Sequence, residues 1–132
     1  MAENTLLSVI IPLYNAEAYL PGLVESLSKA DAPDVEFVFV NDGSTDRTKE
    51  LCDAAKEQLA NLTVIHQPNG GASAARNAGL EAAHGEFLCF ADADDTPKPS
   101  MYAVLSAAAT QQDCDMVMGG YEKTDFTIRY RA

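Results

Sequence analysis

Basic residues are scarce in this chain. Nine lysines and arginines stand against twenty aspartates and glutamates, a formal net charge of −11 over 132 residues. That balance argues against general affinity for nucleic acid and for anionic membrane surfaces, since both rest on clustered positive charge. An anionic small-molecule substrate stays open, provided a metal ion and backbone amides supply positive potential locally. Cysteine is scarce too. Cys52, Cys89 and Cys114 are an odd number at wide spacing, which fits neither a disulfide framework nor a zinc site and reads as three reduced thiols in a cytosolic protein. No apolar run approaches the ~20 residues that span a bilayer. The opening MAENTLLSVIIP holds neither a basic region nor a signal-length apolar segment. Internal repeats and low-complexity segments are absent. Length and a 47% hydrophobic, 22% charged composition describe a single globular domain over 1–132 with enough chain for a core.

What is present alternates between strand and helix patterns. Residues 7–13, LSVIIPL, form a continuous apolar, β-branched run, as in a central parallel strand buried on both faces. Pro12 has no N–H for a ladder and belongs at that strand's end. Leu20, Leu23, Val24 and Leu27 then follow helical spacing, with Pro21 either in the first turn or bending it. A second strand over 35–40, VEFVFV, runs into Asn41-Asp42-Gly43-Ser44-Thr45-Asp46, a turn rich in helix caps. The next helix places Thr48, Leu51, Cys52, Ala55 and Leu59 on one face. A short strand over 62–65, a loop over 67–71 and a small-residue helix over 72–83 follow. Ala72, Ala75, Gly79 and Ala82-Ala83 would let that helix lie close to a neighbour. Beyond the fourth strand, a helix over 101–111 with Ser100 as cap, a fifth strand over 115–119 and a terminal strand over 126–130 are expected. The class is α/β, three layers (α/β/α) around a mainly parallel sheet.

The stretch over 86–95, EFLCFADADD, carries the chemistry. Its apolar run is strand-length and reads as buried. Asp92, Asp94 and Asp95 crowd directly after it. Carboxylates this close repel by ~1 kcal/mol per pair in water and several-fold more beside a low-dielectric wall. A divalent cation removes that conflict, and hard oxygen ligands suit Mg²⁺ or Mn²⁺ shared with a phosphate-bearing substrate. A solvated acidic turn that caps the next helix is the bland alternative. Tyr14, Asp42, the 67–71 loop and the 92–95 acids all fall at strand carboxyl ends, where α/β sheets bind ligands.

Four motifs, SVIIPLYNAEAYL, FVFVNDGSTDRT, NGGASAARNAGLEAAHGEF and FADADDTPKP, in this order and spacing, resemble the family 2 glycosyltransferases of the GT-A fold over essentially the whole chain. That resemblance implies a nucleotide-diphosphate-sugar donor, commonly a UDP-sugar, inversion at the sugar carbon, Mg²⁺ or Mn²⁺, and a saccharide or lipid-linked acceptor, as in cell-surface polysaccharide biosynthesis. It implies that Pro12, Leu13 and Tyr14 line the base pocket and that Asp42 accepts a hydrogen bond from the base. Gly70 and Gly71 would let backbone approach the donor. Arg76 would face the diphosphate or pair with a carboxylate of the metal loop. Asp92 would lie near the ribose and the metal's water shell, Asp94 would bind the metal directly, and Asp95 would be a second ligand or hold the loop. Many relatives carry an aspartate where this chain has Asn41, and no role is assigned to that residue.

Relatives place a catalytic carboxylate base well downstream, in an acceptor-side segment. Asp113, Asp115, Glu122 and Asp125 have no such context, so the catalytic residue is unknown and the chain is expected to be the donor-binding part. Self-association through an unpaired strand or uncovered sheet face is a further expectation. So is a cytoplasmic location, with peripheral attachment at the inner membrane face left open. The competing reading is a non-catalytic nucleotide-binding or scaffolding module of the same fold. A sugar-nucleotide-forming nucleotidyltransferase would carry a Gly-rich, Arg-containing loop after the first strand, where this chain reads PLYNAEAY.

Overall fold

Runs of β-branched and aromatic residues pair into a parallel sheet, and a computed structural model describes residues 5–29 and 33–93 of it. The elements are β1 (Leu7–Leu13), α1 (Leu20–Ser28), β2 (Val35–Asp42), α2 (Thr48–Ala55), β3 (Leu62–Gln67), α3 (Ala72–Ala82) and β4 (Phe87–Phe90). The strand order is β3-β2-β1-β4, every pair parallel. After β3 the chain crosses back over β1, so a topological switch point lies between β1 and β4. The helix expected over 101–111, the strands over 115–119 and 126–130, and Asp94 and Asp95 lie outside the described residues.

Alternation along the strands sorts the core into two layers. Val9, Ile11, Leu13, Phe37 and Phe39 point toward α1 and α2, where Leu20, Leu23, Val24, Leu27, Cys52 and Ala55 meet them. Ile10, Val38 and Val40 point the other way, onto Ala75 of α3. Helices therefore cover both faces of β1 and β2, which explains why those strands read as unbroken apolar runs. Pro21 sits in the first turn of α1, where its missing N–H costs nothing.

Two strands run longer than their apolar stretches suggest. Asn41 and Asp42 stay in the ladder opposite His66 and Gln67, so β2 and β3 each extend into polar sequence. The expectation of a buried fourth strand is corrected: Phe87 and Cys89 pack against the core, while Leu88 is 48% exposed and Phe90 47%. The reason is placement. Among the described residues, helix α3 packs chiefly over β1, β2 and β3, and it meets β4 through Arg76, whose guanidinium lies over the Phe90 ring.

Close approach fixes α3 against the sheet. A Cβ on Gly79 would stand 2.4 Å from Ile10 Cγ2, nearer than two carbons can lie. The far end of α3 is tied to β2 through Glu36, a buried carboxylate. It accepts bonds from the Ser8 hydroxyl and from the His84 backbone N–H, and its Oε1 lies 3.1 Å from His84 Nδ1. Ser8 Oγ in turn accepts the Gly85 N–H at 2.8 Å. Burial pushes the Glu36 carboxyl upward, but these hydrogen bonds together outweigh it and hold the group below the usual carboxylate range. Burial pushes the Cys52 thiol up to about 12 and raises that of Cys89, so both stay protonated and unreactive at neutral pH.

Two outcomes follow from this packing. Gly79→Ala should destabilise the fold by about 1–3 kcal/mol in denaturant melts, the usual cost of overpacking a tight contact. Glu36 has a folded-state value below its unfolded one, so its contribution is present above the unfolded carboxylate range and is lost as pH falls through the folded value. The stability gap between wild type and Glu36→Gln should therefore shrink on acidification from about pH 6 to about pH 3.5. An unchanged gap over that range would contradict the Glu36 linkage.

Candidate functional site

The carboxyl ends of the strands frame a cleft of about 290 Å³. Strand β1 contributes Pro12, Leu13 and then Tyr14; β2 contributes its last residue, Asp42. The β3–α3 connection supplies Asn69 and Gly71, the first turns of α3 supply Ala72, Ala75 and Arg76, and Asp92 enters from the end of β4. The floor is apolar and the rim carries a few polar groups, the usual make-up of a small-molecule site. Its volume lies near the low end of the ~300–1,000 Å³ typical of such pockets.

Tyr14 is 55% exposed and presents its ring at the rim. The residue after it sets its position. Asn15 adopts a left-handed φ of 48°, a conformation that asparagine tolerates better than most residues. Its Oδ1 accepts the Thr45 N–H at 2.8 Å and its own N–H donates to Ser44 Oγ at 2.9 Å. Next to it, the Ala16 N–H donates to Thr48 Oγ1 at 2.8 Å, and that hydroxyl donates to Asp46 Oδ1. The Glu17 N–H reaches Asp46 Oδ2 at 3.2 Å, while Glu17 Oε1 accepts the Arg47 N–H at 3.2 Å. The β1–α1 and β2–α2 loops are thus one cross-linked layer beneath the rim. The hydrogen bonds from Thr48 lead the effects that hold Asp46 below the ordinary carboxylate range.

Asp42 is 4% exposed. Its Oδ1 accepts from Gln67 Nε2 at 2.9 Å and from the Gly70 N–H at 2.8 Å. Its Oδ2 accepts from the Gly71 N–H at 3.0 Å and from Asn69 Nδ2 at 3.4 Å. Burial pushes its carboxyl up, and the bonds from Gln67, Gly70 and Gly71 more than offset it, so the net shift is downward and the group is ionised at neutral pH. Its neighbour Asn41 faces the opposite side of the sheet. Asn41 Oδ1 accepts the Ser44 N–H at 3.3 Å, which turns Nδ2 toward His66 Nδ1 at 3.0 Å. That arrangement leaves the ring proton on His66 Nε2, aimed at Asp53 Oδ1 at 2.9 Å.

Of the residues singled out from the sequence, Pro12, Leu13, Tyr14, Asp42, Gly71, Arg76 and Asp92 line this one cleft. Gly70 is not among the lining residues; it is exposed, and its N–H donates to Asp42 Oδ1. Arg76 carries its guanidinium 5.9 Å from the centre of the Phe90 ring, a cation–π distance. Among the described residues no group of three or more His, Cys, Asp or Glu side chains could hold a metal ion. Among the described residues, Asp92 is the acid of the 92–95 motif that reaches the cleft. Asn69, Ala72 and Ala75 belong to the lining; the sequence reading gave none of them a ligand-binding role and took the two alanines as helix-packing residues. The NGG motif pointed at the right loop, but only the Gly43 turn shows why Asn69 faces inward. A Cβ on Gly43 would meet the Asn69 backbone nitrogen at 2.4 Å.

Comparison with known proteins agrees with this geometry. GlyG of Streptococcus pneumoniae, a glycosyltransferase, is 40% identical over 123 residues, covering 92% of this chain and 41% of that protein. The structure of S. aureus TarS 1-349 in complex with UDP-GlcNAc superposes with a TM-score of 0.78 at 34% identity, covering 91% of this chain and 36% of that one. The mannosyltransferase PcManGT from Pyrobaculum calidifontis, solved with GDP-Man and Mn²⁺, gives a TM-score of 0.70 at 28% identity over 86% of this chain and 33% of its own. The chain spans between 34% and 41% of the length of curated relatives such as GlyG. The glycosyl transferase family 2 profile matches residues 8–130. With a four-strand parallel α/β sheet, a cleft at its carboxyl edge and that match, the chain belongs to glycosyl transferase family 2.

Proposed function

We propose that the cleft binds the nucleotide-diphosphate-sugar donor, a UDP-sugar, of an inverting, metal-dependent transferase that glycosylates a saccharide or lipid-linked hydroxyl. The observation that carries this reading is convergence: side chains from the ends of β1, β2 and β4 and the start of α3 line one cleft. Pro12, Leu13 and the Tyr14 ring offer the base an apolar shelf, with Asp42 at the same end. Gly71 and Ala72 have no side chain beyond a methyl, which lets a diphosphate approach the first turn of α3. The N–H groups of that turn point outward without intrahelical acceptors. Arg76 adds a fixed positive charge for the diphosphate, oriented by Phe90.

Asp92 supplies a hard oxygen donor at the cleft, chemistry that suits Mg²⁺ or Mn²⁺. Asp94 and Asp95, in the same motif, complete the proposed ligand set. The bound cation would supply positive charge against the leaving diphosphate. The base that deprotonates the acceptor is assigned to no residue of this chain, so its own role is donor binding. A non-catalytic module of the same fold is the second reading; it would keep the cleft and lose the metal dependence.

The test is a thermal-shift titration of the chain with UDP, GDP and their sugars, with and without Mn²⁺. A ligand at a hundred times its Kd adds about 2.7 kcal/mol to stability. UDP with Mn²⁺ should give the largest rise, and Asp94→Ala or Asp92→Ala should remove the Mn²⁺-dependent part. No rise with any nucleotide would sink the donor reading, and a rise indifferent to Mn²⁺ would favour the non-catalytic module. Tyr14→Ala should cost UDP about 1–3 kcal/mol, the usual worth of one base–aromatic stack, while Tyr14→Phe keeps most of the affinity.

A further inference from the structure

We infer that His66 is a proton-sensitive latch: when its ring takes up a second N–H proton, Asn41 lets go of the β2–α2 turn that seats Tyr14 at the cleft rim. The consequence for ligand affinity rests on the donor-cleft reading; the latch itself does not. A backbone N–H can only donate, so the Ser44 N–H, 3.3 Å away, fixes Oδ1 as the end of the Asn41 amide that faces it. Nδ2 is left facing His66 Nδ1 at 3.0 Å, and that ring nitrogen must be the unprotonated one. The other nitrogen, Nε2, donates to Asp53 Oδ1 at 2.9 Å. This chain of donors and acceptors is complete for a ring with its proton on Nε2 and for no other. A histidinium donates from both nitrogens, and its Nδ1–H would meet the Asn41 N–H₂ head on. Asn41 is 3% exposed, so water cannot take up the conflict. The amide must turn over, giving Oδ1 to the ring and leaving the Ser44 N–H without its acceptor.

Strand register sets the contact. His66 lies opposite Asn41 in the β2–β3 ladder, on the sheet face where Val64 and α2 pack. The charged groups that α2 brings to this place are Asp53, in contact with the ring, and Lys49 and Lys56, which act on Asp53. The hydrogen bond from His66 leads the effects that hold Asp53 below the ordinary carboxylate range. Asp53 therefore stays ionised at mildly acid pH and anchors Nε2 in both states of the ring. Asp42, next in β2, turns to the other face and bonds to Gln67, Gly70 and Gly71. The change thus falls on Asn41 and the turn it holds. Ser44 is where that turn meets the β1–α1 loop: its Oγ accepts the Asn15 N–H at 2.9 Å, and that N–H belongs to the peptide bond following Tyr14. Thr45 adds its own N–H to Asn15 Oδ1 at 2.8 Å. Asn41, Ser44 and Asn15 in succession join a titratable ring to the aromatic of the rim.

The experiment follows the chain from about pH 7.5 to about pH 5.5, within the window where histidines gain their proton, with imidazole ¹⁵N shifts reporting the state of His66. Without nucleotide, amide hydrogen exchange at Ser44, corrected for its intrinsic pH dependence, should lose about fivefold in protection as the ring protonates, the scale of one hydrogen bond. Affinity for UDP with Mn²⁺ should fall about threefold more in wild type than in His66→Gln, a coupling of the size packed networks carry. That variant shares the titration of the nucleotide and lacks that of the ring. Asn41→Asp should abolish both effects, because one carboxylate oxygen accepts the Ser44 N–H while the other accepts the ring Nδ1–H. A ring still neutral at the acid end, Ser44 protection unchanged while the ring protonates, or an equal loss in Asn41→Asp overturns the proposal. So does an affinity that falls no further in wild type than in His66→Gln. Should Asn41→Asp fail to fold, His66→Gln carries the comparison: Ser44 should keep its protection there at both ends of the range, and an equal loss overturns the latch. Wild type that binds UDP at neither pH defeats the donor-cleft reading, and loss of Ser44 protection on protonation still upholds the latch.

Discussion

Two polar residues end β2 inside the protein, and the carboxyl edge of the sheet is arranged to satisfy them. Asn41 and Asp42 are 3% and 4% exposed. A buried amide or carboxylate without partners costs several kcal/mol, so the surroundings must bring donors and acceptors to both. Pleating sends them to opposite faces. On one face, Asn41 draws in His66 and, through it, Asp53 of α2, and it takes the Ser44 N–H of the next turn. On the other, Asp42 draws in Gln67 and the loop that leads into α3. One dipeptide thereby connects the helices above the sheet with the helix below it.

The β1 side of the cleft is made rigid by a different device. There the loops cross-link through short polar side chains, with Asn15, Ser44, Thr45, Asp46 and Thr48 exchanging bonds mostly with backbone amides. Side chain to backbone bonds of this kind occupy N–H groups that loops would otherwise leave to water. A rim aromatic such as Tyr14, more than half exposed, has few contacts of its own to hold it. Its placement is inherited from the layer below.

Much of this was legible in the sequence because it follows from periodicity. Unbroken apolar runs gave β1 and β2, and helical spacing at Leu20, Leu23, Val24 and Leu27 gave the buried face of α1. Polar clusters at strand ends pointed to the correct edge. Three features escaped that reading for physical reasons. The polar ends of β2 and β3 carry no hydrophobic signal, so the ladder between Asn41 and His66 and between Asp42 and Gln67 was invisible until the register was known. The apolar composition of β4 looks the same whether or not a helix lies over it, and here Leu88 and Phe90 are half-exposed. The lining by Asn69 depends on the approach of two loops that are distant in sequence, which local pattern cannot encode.

Helix α3 is anchored twice to the same strand, near its first residue through Asp42 and just past its last through Glu36. Six steps of strand measure about 20 Å, and eleven residues of helix about 16 Å, with the Gly70–Gly71 and Ala83–His84 links making up the difference. Strand β2 therefore acts as a gauge for helix length. Adding or removing one helical residue would rotate everything beyond it by about 100°. Such a change would lift Gly79 off Ile10, or swing Arg76 out of the cleft, or both. Insertions and deletions in descendants of this chain should be confined to the outward loops, with the spacing between the paired glycines of the NGG motif and the glycine of the HGEF motif held constant.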